Sequence, residues 1–93
     1  AMTDPEIAHD AAARRFTLDV DGHQAELDYD LEGGTLAIVH TGVPEAIGGR
    51  GIAARLVEAA FAHARASGLK VRPSCSYAAA WVERHPEVTD LLG

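Results

Sequence analysis

Several features are scarce or missing in this 93-residue chain, and each absence excludes a class of protein to which the chain could belong. The chain has one cysteine, Cys75, so an internal disulfide is impossible and a reducing compartment is expected. No apolar run is long enough for a membrane-spanning helix, and the start lacks a signal-like pattern. We therefore expect a cytoplasmic protein that does not have a membrane as its partner.

Metal ligands and basic residues are sparse as well. His9, His23 and His63 show no metal-ligand spacing with each other or with Cys75, so no metal site is predicted. The net charge is -6. Because an acidic chain without a basic, aromatic-rich face is a poor match for a phosphate backbone, nucleic acid is not an expected partner.

The charge is unevenly distributed along the chain. The first 45 residues carry ten acids and two arginines, whereas the remaining residues carry six basic side chains and four acids. An anionic ligand is therefore expected to bind the second half of the chain.

The length and the apolar content of 47% are typical of one globular domain. Residues 1–13 are polar and alanine-rich with a break at Asp4-Pro5, and we predict a flexible lead-in there. Ala1-Met2 is interpreted as the remnant of an expression tag. The domain itself is predicted to cover residues 14–93.

The alternation of apolar and polar residues predicts a β-hairpin. Its first strand shows the alternation over residues 16–20 and its second over residues 25–31. Between them, Asp21-Gly22 is a strong signal for a two-residue turn. Such a turn pairs Val20 with His23. All the apolar side chains of both strands then share one face, and the acids cover the other.

A third strand is predicted at residues 35–41, where the apolar residues do not alternate, so both faces are expected to be covered. An apolar stripe at helical spacing predicts a long helix from about Ile52 that ends at Ser67-Gly68. Residues 69–72 are expected to form a short strand parallel to the third.

The end of the chain is predicted to be helical. Ser76 can cap a second helix over residues 77–84, and residues 86–92 suit one last short helical turn. The whole pattern predicts an α+β fold: an antiparallel three-strand meander, a helix, a parallel strand and a short helix, in a single three-layer domain.

Residues 43–54 join the third strand to the long helix and contain three closely spaced glycines, Gly48, Gly49 and Gly51. Such a turn directs free backbone N–H groups and the positive end of the helix dipole at one spot, which favours a phosphate. Arg50 adds a fixed positive charge. The alternative is an ordinary glycine-rich turn.

The sequence from Gly48 to Ala53 resembles the acetyl-CoA loop of GCN5-related N-acetyltransferases, in which Arg or Gln is followed by two residues, Gly, one residue, and Gly or Ala. Gly51 and Ala53 match the last two defined positions, whereas Gly48 replaces the usual Arg or Gln. A wider resemblance, to the small minimal branch of that family, covers residues 16–92. It is carried by His40-Thr41, Val43-Pro44, Gly51-Ile52-Ala53, Pro73-Ser74-Cys75-Ser76-Tyr77 and Arg84-His85-Pro86-Glu87.

This resemblance implies a reduced GCN5-related fold that binds acetyl-CoA, with pyrophosphate on the glycine loop and pantetheine along the central strand. The segments that cover the acceptor in larger members have no counterpart here. The acceptor site is therefore expected to be open to a large acceptor, such as a protein, or to depend on a partner. The implied cofactor-binding residues are Thr41, Gly42, Val43, Gly48, Gly49, Arg50, Gly51, Ile52 and Ala53.

Members of this family use a base for the amine proton and a tyrosine acid for the leaving thiolate. Cys75 precedes a helix start and is a candidate nucleophile, or a small buried thiol without chemistry. Tyr77 is the candidate acid, or a ring that packs at the sheet edge. His40 is the candidate base, or a structural histidine, and Glu45 is the other possible base.

The function implied by the resemblance is an acetyl-CoA-dependent N-acetyltransferase that acts on an unidentified amine. The alternative is a CoA-binding or protein-interaction module without turnover. A third reading, dinucleotide binding, has a loose match in Gly49, Gly51 and Ala54. It lacks the acid expected about twenty residues later, where the chain reads Lys70-Val71-Arg72.

Overall fold

The computed structural model describes residues 7–93, which form one five-stranded sheet and two α-helices. Strands β1 to β4 are antiparallel neighbours in chain order, and β5 is added parallel to β4. Short 3-10 turns lie at Glu45–Ile47 and Pro86–Leu91. The strands are β1 Ala8–Asp10, β2 Arg15–Val20, β3 His23–Glu32, β4 Thr35–Gly42 and β5 Lys70–Pro73, and the helices are α1 Ile52–Ser67 and α2 Ser76–Glu83.

The hairpin of β2 and β3 has the register predicted from the alternation. Val20 lies opposite His23, and Phe16 lies opposite Leu27. Asp21 and Gly22 both have positive φ, 51° and 78°, as the mirror-image turns favoured in two-residue hairpins require. The sequence pattern and the turn residues therefore determine this part of the sheet together.

A short edge strand, β1, lies within the segment that we expected to be a flexible lead-in. It pairs with β2, and the ring of His9 stacks on Phe16 with centroids 4.1 Å apart. The three residues of β1 are exposed and lack an apolar alternation, so the sequence carried no signal for them. The meander therefore has four strands instead of the predicted three. Residues 1–6, including Ala1-Met2, which we interpreted as a tag remnant, lie outside the described residues.

Helix α1 covers one face of the sheet, and α2 packs against α1, with the rings of Trp81 and Phe61 stacked at 5.2 Å. The opposite face has no buried side chain among residues 7–93, and Val39 there is 43% exposed. The domain thus has two layers, so the expected third layer and the expected double cover of β4 were wrong. The buried sheet residues are Phe16, Leu18, Ala25, Leu27, Tyr29, Leu36, Ile38 and Val71.

Helix α1 has the limits predicted from its apolar stripe. It begins after Gly51 and ends at Ser67, where Gly68 adopts the left-handed conformation, φ 71°, that terminates helices. Neither α1 nor α2 has the length and hydrophobicity needed to cross a bilayer, a finding that covers residues 7–93.

The contact between β1 and α1 depends on neutral histidine. The His9 ring lies 4.4 Å from the His63 ring, and its Nε2 is 2.6 Å from the Tyr29 hydroxyl oxygen. Loss of water around the ring lowers the pKa of His9, the charge of His63 lowers it further, and Asp10 opposes both effects.

We expect the free energy of unfolding to fall on mild acidification. The pKa of His9 is below its ordinary value of 6.5 in the folded state, so the unfolded chain binds more protons as the pH drops. The stabilisation is complete above about pH 6.5 and is lost below it. Urea unfolding at pH 7.5 and 5.5 should show this loss, and His9→Gln should reduce it. An equal loss of unfolding free energy in His9→Gln would show that His9 is not the group responsible.

Candidate functional site

The sheet splits between β4 and β5, and the split defines the centre of the candidate site. The two strands pair only from Thr35 to Ile38. The N–H groups of Ser74 and Cys75 then both donate to the Ile38 carbonyl, at 2.9 Å each, before the chain enters α2. Residues 39–42 of β4 therefore have β3 on one side and, among the described strands, none on the other. We call this opening the strand gap.

A β-bulge lies in β4 beside the strand gap. Ile38 is opposite Tyr29, but His40 is opposite Asp28, so Val39 is an extra residue in the pairing. The bulge places His40 on the exposed face of the sheet together with Asp28, whereas Thr41 lies on the helix face. Bulges often redirect side chains next to active sites, and this one places consecutive residues on both faces of the gap.

The glycine loop presents unpaired backbone amides. The N–H of Gly48 donates to the Glu45 carbonyl at 3.1 Å, and the first helical bond runs from the Arg55 N–H to the Gly51 carbonyl at 3.2 Å. Between them, the N–H groups of residues 49–54 donate to no group in the part of the chain that the structure describes. Gly51 has φ 74° and supplies no side-chain cap, so these amides and the helix dipole are available to an anion.

A cavity of about 270 Å³ lies at this junction. It brings together six of the nine residues predicted to bind the cofactor, with Tyr77 from α2 as an additional wall. Tyr77 is 40% exposed and its ring is accessible from this cavity. The lining residues are Val43, Gly48, Gly49, Gly51, Ile52, Ala53 and Tyr77.

Arg50 does not line this cavity. Its Nη1 donates to Asp21 Oδ2 at 2.7 Å, which joins the glycine loop to the tip of the β2–β3 hairpin. Both side chains are largely exposed, so the ion pair is weak and an anion at the loop competes with Asp21 for the guanidinium. Contact between Arg50 and a phosphate therefore remains a prediction.

Cys75, rather than the predicted Ser76, caps helix α2. Its Sγ accepts a hydrogen bond from the Ala78 N–H at 3.3 Å and lies 3.6 Å from Thr41 Oγ1. Ser76 is the first residue of the helix itself. The half-buried thiol is thus at a helix N-terminus and borders the strand gap on the helix face, next to a predicted cofactor-binding residue.

His40 lies on the opposite face from Cys75 and is hydrogen-bonded to Glu26, with 3.0 Å between His40 Nε2 and Glu26 Oε2. The imidazole is 54% exposed. Sequence reasoning assigned Glu26 only to the acidic face of the hairpin, because its proximity to His40 depends on the register between β3 and β4. Glu45, the other possible base, begins a 3-10 turn and is exposed.

The described residues 7–93 contain no group of three His, Cys, Asp or Glu side chains arranged to hold a metal ion. The groups that the site offers for chemistry are the amides of the glycine loop and the side chains of His40, Cys75 and Tyr77.

Comparisons with known proteins agree with this architecture. The family model for GCN5-related N-acetyl-transferases matches residues 15–91. Protein NATD1 from Gallus gallus is 34% identical over 84 residues, which cover 87% of this chain and 76% of the relative. Protein NATD1 from Homo sapiens is 35% identical over 83 residues, which cover 86% and 74%.

The fold has a solved counterpart as well. A GCN5-like protein from Staphylococcus aureus, determined by NMR, superimposes with a TM-score of 0.76 at 30% identity, covering 99% of this chain and 91% of the other. The resemblance inferred from the glycine loop and the strings around Cys75 and His85 is confirmed by these matches. The chain belongs to the GCN5-related N-acetyltransferase family.

Proposed function

We propose that this protein binds acetyl-CoA and transfers the acetyl group to an amine. Family membership supports an acetyl-transfer role. The observation that carries the cofactor assignment is the row of unpaired amides at the glycine loop, which opens directly into the cavity beside the strand gap. A strand-to-helix junction of this kind binds diphosphate without requiring a particular side chain.

The residues present fit such a ligand. A Cβ at Gly49 or Gly51 would meet no atom of the described residues within 4 Å, so the space beside these two glycines is open. In this proposal the amides of residues 49–53 hold the pyrophosphate, and the end of β4 at Thr41 and Gly42, with Val43 after it, holds the pantetheine arm. Acetyl-CoA would supply an activated acetyl thioester.

The proposed roles of the side chains follow their positions around the strand gap. The Cys75 thiolate takes the acetyl group, forming a new thioester as the bond to the CoA sulfur breaks, and the Tyr77 hydroxyl protonates the leaving CoA thiolate. The amine then attacks the acetyl carbon, and His40 takes its proton as the Cys75 thiolate leaves. In this proposal the amine approaches from the exposed face, where His40 lies, and the acetyl group is held on the helix face beside Cys75 at the strand gap.

The second candidate is a CoA-binding or protein-interaction module without turnover. It is favoured because two candidate catalytic side chains already make structural hydrogen bonds: Cys75 caps α2, and His40 is hydrogen-bonded to Glu26. An acceptor that is itself a protein, or one selected through a partner, is compatible with the uncovered sheet face.

Labelled acetyl-CoA separates the two candidates. The protein is incubated with it alone and with a polyamine or a lysine-containing peptide, and mass spectrometry locates any acetyl group. Acetylation of Cys75 or of the amine supports the transferase. Saturable binding and a raised melting temperature without any transfer support the module. Absence of binding would overturn the transferase and the CoA-binding module, and would leave a protein-interaction module.

The Asp21–Arg50 ion pair leads to a further prediction. Asp21→Asn should increase the affinity for CoA about two- to fivefold, because it releases Arg50 from a competing surface pair worth less than about 1 kcal/mol. Asparagine tolerates the positive φ of this position, so the hairpin should be retained. Isothermal titration checks the affinity.

Asp19→Asn is the matched control, since it removes the same charge from an exposed residue of β2 that contacts Gln24 rather than Arg50. Equal gains in both variants would show that net charge, and not the release of Arg50, controls the affinity.

A further inference from the structure

We infer that Glu26 is a positioning residue that orients the imidazole of His40, and that a side chain at residue 42 would displace this pair. The inference rests on the proposed function, since it concerns the residue that takes the amine proton. It adds a group that neither the loop motif nor the resemblance identifies.

The sheet register brings the two side chains together. Glu26 is opposite Gly42, and His40 is opposite Asp28, so Glu26 and His40 are diagonal neighbours on the exposed face. A β-carbon at Gly42 would lie 2.6 Å from Glu26 Oε2 and 2.9 Å from His40 Nε2, closer than real side chains approach. Gly42 is not among the residues with positive φ, so an alanine there would disturb the Glu26–His40 pair without imposing an unusual backbone conformation.

Other side chains near His40 do not replace Glu26. Asp28 is directly opposite His40, but its carboxylate accepts from Arg15 Nε at 2.6 Å and from Arg15 Nη2 at 3.3 Å. Among the described residues, the carboxylate within hydrogen-bond distance of the His40 ring is that of Glu26, at 3.0 Å. The orientation of the imidazole therefore depends on that contact.

The contact determines which ring nitrogen can accept a proton. A carboxylate only accepts hydrogen bonds, so His40 Nε2 must be the donor. The neutral imidazole then carries its proton on Nε2, which leaves Nδ1 with a free lone pair. An amine that approaches from the exposed face would give its proton to Nδ1, and the Glu26 carboxylate would stabilise the charged imidazole.

The tautomer of His40 tests this inference without any assay of activity. Long-range ¹H–¹⁵N spectra of the full chain at alkaline pH are recorded for wild type, Glu26→Ala and Gly42→Ala, with Asp28→Ala as the control. We expect a pure Nε2–H form in wild type and the control, and a mixture like that of free histidine in the other two. Glu26→Gln keeps an acceptor oxygen and should restore the Nε2–H form. An unchanged His40 spectrum in Glu26→Ala would overturn the inference.

Kinetics separate this inference from the proposed function. With an amine that is acetylated, Glu26→Ala should lower kcat by about tenfold or more at unchanged KM for acetyl-CoA, with the control near wild type. An unchanged kcat overturns the positioning role, whatever the tautomer. If His40 shows the expected tautomer change but no amine is acetylated, the proposed function fails and the orientation of His40 by Glu26 stands.

Discussion

The variant Gly51→Asp is expected to stay folded and to lose CoA binding, with an affinity at least about a hundredfold lower. The new carboxylate lies among the amides that would hold the pyrophosphate. Two like charges about 4 Å apart repel by on the order of 4 kcal/mol at an effective dielectric of 20, and each 1.4 kcal/mol is a factor of ten in affinity. Titration calorimetry measures the affinity, and circular dichroism checks the fold.

The matched control is Gly33→Asp, in the turn between β3 and β4 at the opposite end of the sheet. Gly33 and Gly51 both have positive φ, 52° and 74°, and both have open space around the position of a β-carbon. The two substitutions therefore impose a comparable backbone strain and the same charge. CoA affinity that falls equally in both, or in neither, would refute the assignment of the glycine loop to phosphate.

The second large effect is expected for Cys75→Ser, which should abolish acetylation at residue 75 and lower acetyl transfer by at least about a hundredfold. Serine is a good N-cap and can replace the sulfur that now accepts from the Ala78 N–H. The helix should therefore remain intact while the nucleophile is lost. Mass spectrometry after incubation with labelled acetyl-CoA gives both readouts.

Cys75→Ala separates the structural role of the sulfur from its chemistry. It removes both the cap and the thiol, so it should lose transfer like the serine variant and in addition about 0.5–1 kcal/mol of stability. Transfer at the wild-type rate in Cys75→Ser would show that the acetyl group passes directly from CoA to the amine. Cys75 would then be a capping residue only.

The sequence was sufficient where local pattern and turn chemistry agree. Asp21-Gly22 and the alternation around it determine the β2–β3 register, because a one-residue slip would move every apolar side chain to the solvent face. The apolar stripe and Gly68 likewise determine the length of α1. The glycine motif located the strand-to-helix junction because glycine readily adopts the positive φ angles that a tight turn requires.

Local pattern was insufficient for features that depend on how the elements pair and pack in the folded chain. The bulge at Val39 redirects His40, and neither the bulge nor the Glu26 contact has a signal in the residues around it. The sequence also assigned Arg50 to the ligand, whereas its nearest acid is Asp21, 29 positions earlier in the chain. The expected third layer does not form, because α2 contacts α1 as well as β4 and β5, and the other face of the sheet has no buried side chain among residues 7–93.

By itself, the amino-acid sequence determined the strand-to-helix junction with its glycines, the β2–β3 hairpin and the limits of α1. It also identified the family of the chain. These depend on backbone conformation and on apolar periodicity, both of which are local. Only the tertiary structure decided that Cys75 reaches Thr41 at the mouth of the strand gap and that Glu26 holds His40 on the other face. The first contact joins segments 34 positions apart, and the second depends on the bulge at Val39, which shifts the pairing within the β3–β4 hairpin; no short stretch of residues encodes either.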